Sequence, residues 1–181
     1  MYTAHKTEIA PTIDGLSNEL AWENAPWSDM NYVWQGEVTD SADFSGRFKI
    51  IWGENKIYVL AEITDDIINN STNELLEYWM GDCIEIFIDE DRSGGEHQYS
   101  HNAFAYHISH ATQNAYDQST QRKAAIFDHV TTAIVQDGDI YRWEMAIDVY
   151  DDSYNESQES TPLLLTAGKL LGFTLAYCDN D

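Results

Sequence analysis

Residues 46–60, GRFKIIWGENKIYVL, decide the fold class of this chain. Two apolar runs flank the triplet Gly53-Glu54-Asn55, whose residues favour a turn, so the stretch predicts two strands joined as a hairpin. In the second run the apolar side chains recur at every other position. The recurring residues are Ile57, Val59, Ala61 and Ile63. Because alternate side chains of a strand point to the same side of a sheet, this pattern predicts one buried face.

Two other segments repeat the pattern. Residues 131–148, TTAIVQDGDIYRWEMAID, predict a second hairpin around Asp137-Gly138, since glycine tolerates the positive φ of a tight turn. In its returning strand Trp143 and Met145 share one face. Residues 170–178, LLGFTLAYC, are a further strand candidate near the end of the chain.

Helix signals are scarce. Residues 16–25 favour a short helical turn, and Ser71 with Glu74 has the spacing of a capping box that would begin a brief helix. Hairpins with few helices pack as antiparallel sheets face to face. We therefore expect an all-β fold: a jelly-roll-like antiparallel β-sandwich of about ten strands with one or two short helices, forming a single domain over residues 1–181.

Charge excludes several classes of partner. The chain has 32 acidic residues against 9 lysines and arginines, a net charge of -23. Such a field repels nucleic-acid phosphates and anionic membranes, whereas a neutral ligand such as a sugar feels little net force. No apolar segment approaches the roughly 18 residues of a membrane span. The opening residues 1–15 lack the apolar core of a secretory signal.

The strand predicted after Gly81 has two different faces. Ile84, Ile86 and Ile88 alternate with Cys83, Glu85 and Phe87. We expect the isoleucines in the core, so Glu85 points outward on the side that Trp79 also borders. An indole that stacks on a sugar ring, beside a carboxylate that accepts hydroxyl protons, would suit a carbohydrate. The alternative is that Glu85 pairs with an arginine or lysine while Trp79 packs inside.

An acidic loop follows that strand. In residues 89–97, DEDRSGGEH, the acids Asp89, Asp91 and Glu96 surround a Gly-Gly turn. Closely spaced carboxylates suit calcium, which takes six to eight oxygen ligands, but the spacing is not that of an EF-hand. A solvated hairpin tip is the alternative interpretation.

Histidines and cysteines give weaker signals. His97 and His101 are four residues apart, a spacing that aligns ligands on a helix, yet residues 97–109 look extended and contain no HExxH motif. In an extended segment His101 and His107 would share a face. Whether Cys83 and Cys178 pair is open from the sequence, since strand order is not encoded locally.

Four blocks, in order, resemble carbohydrate-binding module family 9, which is related to the DOMON-like superfamily. They are PTIDGLSNELAWENAPW (residues 11–27), FKIIWGENKIYVLAEITDD (48–66), WMGDCIEIFIDED (79–91) and GFTLAYCDND (172–181). The resemblance covers almost the whole chain. It implies a calcium-bearing β-sandwich that binds sugars without cleaving them.

The resemblance also implies site residues. Family members clamp the reducing end of a glycan between two tryptophans, and Trp79 matches the first of these. Glu85 matches a carboxylate that binds sugar hydroxyls, His107 stands where the family often has an arginine, and Asp179 and Asn180 match the polar end of a late strand. Calcium near Asp89, Asp91 and Glu96 would be structural. The chain is expected to lack the family's last strand and second clamp tryptophan.

The expected function is thus non-catalytic capture of an oligosaccharide or polysaccharide, in a secreted, periplasmic or cell-surface setting and in the company of a glycoside hydrolase. Three alternatives stay open, one of which is an adhesion or scaffold domain with no small ligand. A b-type haem module of the same sandwich class would use Met80 and a histidine, and a glycan-active enzyme would use Glu85 as acid or base.

Overall fold

The computed structural model of the protein describes residues 1–37, 40–41, 43–70 and 78–180. This part of the chain forms two β-sheets with one 3₁₀ turn at Leu20–Trp22, within the segment predicted to be helical. The helix predicted from Ser71 falls on residues 71–77, which lie outside the described residues. Over the described ranges no helix has the length and apolar character required to span a bilayer.

The first sheet contains six strands. They are β1 (His5–Lys6), β2 (Ser28–Asp29), β3 (Phe44–Trp52), β4 (Lys56–Asp65), β9 (Val130–Asp137) and β10 (Ile140–Asp148). Their order is β1-β3-β4-β10-β9, and β2 also pairs with β3. Only β1 runs parallel to its neighbour in the described pairings of this sheet. Both predicted hairpins are confirmed, although the second turn falls on residues 138–139, since Asp137 still pairs with Ile140.

The second sheet contains five strands. They are β5 (Cys83–Asp89), β6 (Phe104–Ser109), β7 (Ala115–Gln118), β8 (Ala124–Ile126) and β11 (Gly172–Cys178). Their order is β11-β5-β6-β7-β8, and all pairings are antiparallel. The strand that comes last in the chain therefore lies at an edge, next to β5.

The predicted β-sandwich is confirmed, with the core between the two sheets. β5 contributes Ile84, Ile86 and Ile88, at most 2% exposed, and β10 contributes Trp143 and Met145, both fully buried. These are the faces that the alternating pattern assigned to the interior. Burial of apolar area at roughly 25 cal/mol per Å² makes this layer the main source of stability.

The outer side of the first sheet is covered by the N-terminal segment. Glu144 of β10 is fully buried there and accepts hydrogen bonds from the backbone N–H of Gly15 (2.8 Å) and from the indole of Trp22 (2.9 Å). Gly15 has φ +78°, and an added Cβ would lie 2.7 Å from Val135 Cγ2. The Ile13-Asp14-Gly15 motif is thus a docking element: it packs the N-terminal segment against the outer face of the first sheet.

His101 differs from its sequence prediction. It precedes β6 in a turn, so it does not share a strand face with His107. Its ring stacks on Phe104 with centroids 5.1 Å apart, and its Nε2 lies 3.0 Å from Glu156 Oε1. Backbone turns, which periodicity does not detect, place it in an aromatic cluster at the rim of the core.

Candidate functional site

A row of residues crosses the outer face of the second sheet. Glu85 on β5 pairs in register with His107 on β6 and with Ala176 on β11, and His107 pairs in turn with Tyr116 on β7. Because directly paired residues project to the same side, their side chains form a line away from the core. The small Ala176 at one end leaves Glu85 without a bulky neighbour on the β11 side.

Glu85 is held in a hydrogen-bond network. His107 Nε2 lies 2.9 Å from Glu85 Oε1, and both side chains are mostly buried. The hydrogen bond from His107 lowers the pKa of Glu85, the thiol of Cys178 lowers it further by donating to the same carboxylate, and partial burial opposes both. Glu85 is therefore a fixed and ionised acceptor, and its side-chain partner is a histidine instead of the arginine or lysine considered from sequence.

Two consecutive aromatic residues cover one end of this row. The Tyr78 ring lies parallel to that of Tyr116 at 5.9 Å and edge-on to His107 at 4.9 Å. Burial, followed by the charge of Asp117, raises the pKa of Tyr78 to about 12, so Tyr78 stays neutral. Trp79 packs edge-on against Tyr78 at 4.8 Å and is 41% exposed. Trp79 thus lies at the rim and offers part of its indole to solvent.

Asn180 fixes the turn that carries Trp79. Its side-chain amide donates to the carbonyls of Trp79 (3.2 Å) and Gly81 (3.0 Å), and its backbone N–H donates to Asp82 Oδ1 (3.0 Å). Asn69 donates from its side chain to the Asn180 carbonyl at 2.6 Å. The geometry gives Asn180 a positioning role for the Trp79 turn, beside the sugar contact predicted from the resemblance.

The carboxylates predicted to bind calcium are engaged in a loop. Asp89 Oδ2 accepts from the backbone N–H of Gly94 (2.9 Å), Asp91 Oδ1 accepts from Ser93 (2.9 Å), and Glu96 is exposed. Calcium binding by these three residues stays a prediction.

A different group of acids converges more closely. Among the described residues, the carboxylates of Asp65, Asp82 and Asp179 place oxygens within 4.8 Å of one another. Tyr177 Oη donates to Asp65 Oδ2 at 2.5 Å. Oxygen ligands of this kind suit a hard cation. Asp179, predicted as a sugar contact, therefore lies among acids at the end of β11.

The remaining candidates and one cavity lie outside the row. Met80, considered as a haem ligand, is half exposed next to Trp79. His97 packs edge-on against Phe87 at 5.3 Å. Elsewhere, the loop over residues 150–161 forms an open cavity of about 300 Å³ lined by Tyr150, Tyr154 and polar side chains.

The sequence patterns missed two neighbours of Glu85. Tyr78 was not singled out, although an aromatic residue directly before Trp79 was the available signal. Cys178 was considered only as a possible disulfide partner, because nothing local shows that β11 lies beside β5. Cys178 lies more than ninety positions from Glu85, whereas Tyr78 is only seven positions away and joins the row through its ring contacts with His107 and Tyr116.

Comparison with known proteins places these features in a family. The sequence model described as carbohydrate family 9 binding domain-like matches residues 13–181. The chain belongs to this family. The matched range begins in the Ile-Asp-Gly docking element and includes every residue of the Glu85 row, so the resemblance noted from the four sequence blocks is confirmed.

Relatives at the sequence level are large enzymes. The chain is 24% identical over 171 residues to exoglucanase XynX of Acetivibrio thermocellus, covering 94% of this chain and 13% of that protein. It is 32% identical over 81 residues to endo-1,4-beta-xylanase A of Thermotoga maritima, covering 45% of this chain and 7% of the relative. The chain therefore spans only a small fraction of the length of these proteins.

Solved structures share the fold. A carbohydrate binding module family 9 from Caldicellulosiruptor kristjanssonii in complex with glucose superposes with a TM-score of 0.62 at 21% identity, covering 96% of this chain and 74% of that one. The same values of TM-score and identity are found for its complex with cellotriose. At this identity the likeness supports the β-sandwich architecture.

Proposed function

We propose that the protein binds neutral glycans, without cleaving them, on the outer face of its second sheet. The observation that carries this proposal is an ionised Glu85, fixed by His107, on the same sheet face as the half-exposed indole of Trp79. A sugar ring presents both C–H faces and hydroxyl groups, so it needs an apolar platform and a hydrogen-bond acceptor together. Membership of the family, and the glucose and cellotriose complexes of a family member, support the same ligand class.

Trp79 supplies the platform. Tyr78 supports its indole from one side through an edge-on contact, and Asn180 fixes the backbone of its turn. A preorganised ring loses little entropy when the ligand arrives, which matters because association itself is costly. We expect the exposed part of the indole to stack on one pyranose ring.

Glu85 and His107 supply the polar contacts. The carboxylate already accepts a hydrogen bond from His107, and its remaining lone pairs are available to sugar hydroxyls. A hydrogen bond to a charged acceptor contributes about 1.5–3 kcal/mol net. His107 orients the Glu85 carboxylate and stands where the family often has an arginine. Because an imidazole is shorter than a guanidinium side chain and has fewer N–H donors, the hydroxyl pattern that fits here differs from one selected by an arginine.

A role for Glu85 as the proton-donating acid of a glycosidase is disfavoured by the direction of its pKa. A glycosidase needs a carboxylic acid whose pKa is raised so that it can protonate the leaving oxygen. The hydrogen bond from His107 lowers the pKa of Glu85 instead. This supports a binding role, in which a permanently ionised acceptor is the useful form.

The relatives support a proposed setting for the domain. Several are xylan- or glucan-degrading enzymes by name, and the chain matches only a limited stretch of each. We propose that the domain serves as a targeting module for plant-type polysaccharide in a secreted or cell-surface context. Binding by a single module of this kind should be modest, with a Kd of about 10 µM to 1 mM, because few sugar atoms are buried.

Isothermal titration calorimetry tests the proposal with glucose, cellotriose and xylotriose. We expect saturable heats for at least one ligand and a loss of affinity of about tenfold or more in Trp79→Ala. Trp34→Ala is the matched control, because Trp34 is 81% exposed and follows β2 of the other sheet. Flat heats for all three sugars, or equal losses in the two variants, would overturn the proposal.

A further inference from the structure

The two cysteines of the chain lie directly opposite each other on neighbouring strands. Cys83 begins β5, Cys178 ends β11, and the two are register partners in an antiparallel pair. Such partners have Cα atoms about 4.5–5.5 Å apart. This falls inside the range of about 4.4–6.8 Å that a disulfide spans. Both thiols are free in the structure.

Cys178 also lies near the candidate sugar site, because Glu85 is two positions along β5 from its register partner Cys83. Cys178 raises the pKa of the Cys83 thiol and lowers the pKa of the Glu85 carboxylate, as expected of a side chain beside both groups. Cys83 is fully buried, whereas Cys178 is partly exposed. The pair is therefore a reachable thiol with a second thiol directly behind it, next to the acid that we propose binds sugar.

We propose that Cys83 and Cys178 are an oxidation site that closes to a disulfide and fastens the edge strand β11 to β5. The co-reactant is a small-molecule disulfide of the glutathione class. The thiolate of Cys178 attacks one sulfur of that disulfide, forms a mixed disulfide and expels one thiolate. The thiolate of Cys83 then attacks Cys178 Sγ, closes the bridge and expels the second. The two cysteine thiols lose two protons, and the two expelled thiolates take up two protons to become thiols. The cysteine pair is oxidised by two electrons, and the small-molecule disulfide is reduced by two electrons.

The disulfide would stabilise the edge strand β11 and the turn that carries Trp79. β11 is an edge strand, held in the sheet only by β5 among the described strands, and edge elements open more easily than central ones. Asn180, two residues beyond Cys178, fixes the Trp79 turn. A covalent link at the end of β11 therefore stabilises the turn that carries the sugar platform. The effect on the sugar platform rests on the proposed function, whereas formation of the disulfide does not.

The pKa of the Cys83 thiol sets the rate at which the disulfide closes. Hydrogen bonding to Cys178 and burial raise the pKa of the Cys83 thiol well above its ordinary value. Since the thiolate is the attacking species, closure should be slow at neutral pH and faster at pH 8–9.

The experiment incubates the reduced protein with oxidised glutathione at pH 8.5 and follows intact mass and denatured thiol count. We expect monomer that is lighter by two hydrogen atoms and has no free thiol. Closing a loop of about a hundred residues should raise Tm by about 5–15 °C. Amide exchange in β11 should slow by about tenfold.

Variants identify the order of attack. Cys83→Ser should stop as a single glutathione adduct on Cys178, and Cys178→Ser should leave the buried Cys83 unmodified. Persistent free thiols, a stable glutathione adduct on the wild-type chain, or disulfide-linked dimers would overturn the bridge. If the bridge forms but neither redox form binds cellotriose, the sugar-site proposal fails while the oxidation site stands.

Discussion

Replacement of Gly15 by alanine tests how the N-terminal segment closes the first sheet. Gly15 has φ +78°, and the new Cβ would meet Val135 Cγ2 at 2.7 Å and the Val135 backbone nitrogen at 3.1 Å. The left-handed backbone costs a non-glycine residue roughly 1–2 kcal/mol. Forcing a methyl group into a packed interface adds about 1–3 kcal/mol. We expect Gly15→Ala to destabilise the fold by about 2–5 kcal/mol.

Gly138→Ala is the matched control. Gly138 has φ +66° in the β9–β10 turn, and its added Cβ would meet no atom within 4 Å. Gly138→Ala should therefore lose only the stability that the left-handed backbone costs, about 1–2 kcal/mol. The difference between the two variants isolates the close approach of the N-terminal segment to β9.

Urea unfolding followed by tryptophan fluorescence measures both variants. Trp22 is 2% exposed and donates to Glu144 beneath this segment, so its emission reports undocking. A mutation that changes only stability shifts the midpoint and leaves the m-value unchanged. Equal midpoints for Gly15→Ala and Gly138→Ala would refute the packing of Gly15 against Val135.

Two other substitutions probe the second sheet. Asp117→Asn should stabilise the fold at pH 7 by about 1–3 kcal/mol. Burial raises the pKa of Asp117 to about 6, so the folded state disfavours the charged carboxylate. The wild-type protein therefore loses stability as pH rises from about 4 to 6, and the asparagine variant does not. Chemical denaturation should show this gain vanish below about pH 4, and a gain independent of pH would contradict the assignment. Glu85→Gln should weaken cellotriose binding by about tenfold or more while Tm changes little, because a charged acceptor is lost. Unchanged calorimetric affinity would count against direct contact between Glu85 and sugar.

Local periodicity accounts for most of the fold. The alternation in β4, β5 and β10 correctly identified the faces that form the core between the sheets, because a strand packed against a core leaves a period of two in the sequence. It did not show that the other face of β4 is also buried, with Tyr58 and Leu60 under the N-terminal segment. The turns at Gly53 and Gly138 followed from residue chemistry. His101 was misplaced because a series of turns interrupts the segment that looked extended.

The candidate site was only half predictable. Trp79 and Glu85 stood out by type and position, but their partners come from other strands. The Glu85–His107 contact depends on β5 pairing with β6, and the Glu85–Cys178 contact depends on β11 returning from more than ninety positions away. Pairing over such distances is set by the packing of the whole sandwich, so local patterns do not encode it.

The central claim is that a glycan binds on the outer face of the second sheet at Trp79 and Glu85. Its most direct test is a titration of ¹⁵N-labelled protein with cellotriose, followed by NMR chemical shifts. We expect saturable shifts in the Trp79 indole N–H and in the amides of β5, β6 and the end of β11. Shifts confined to the cavity of residues 150–161, or no shifts at millimolar sugar, would contradict it.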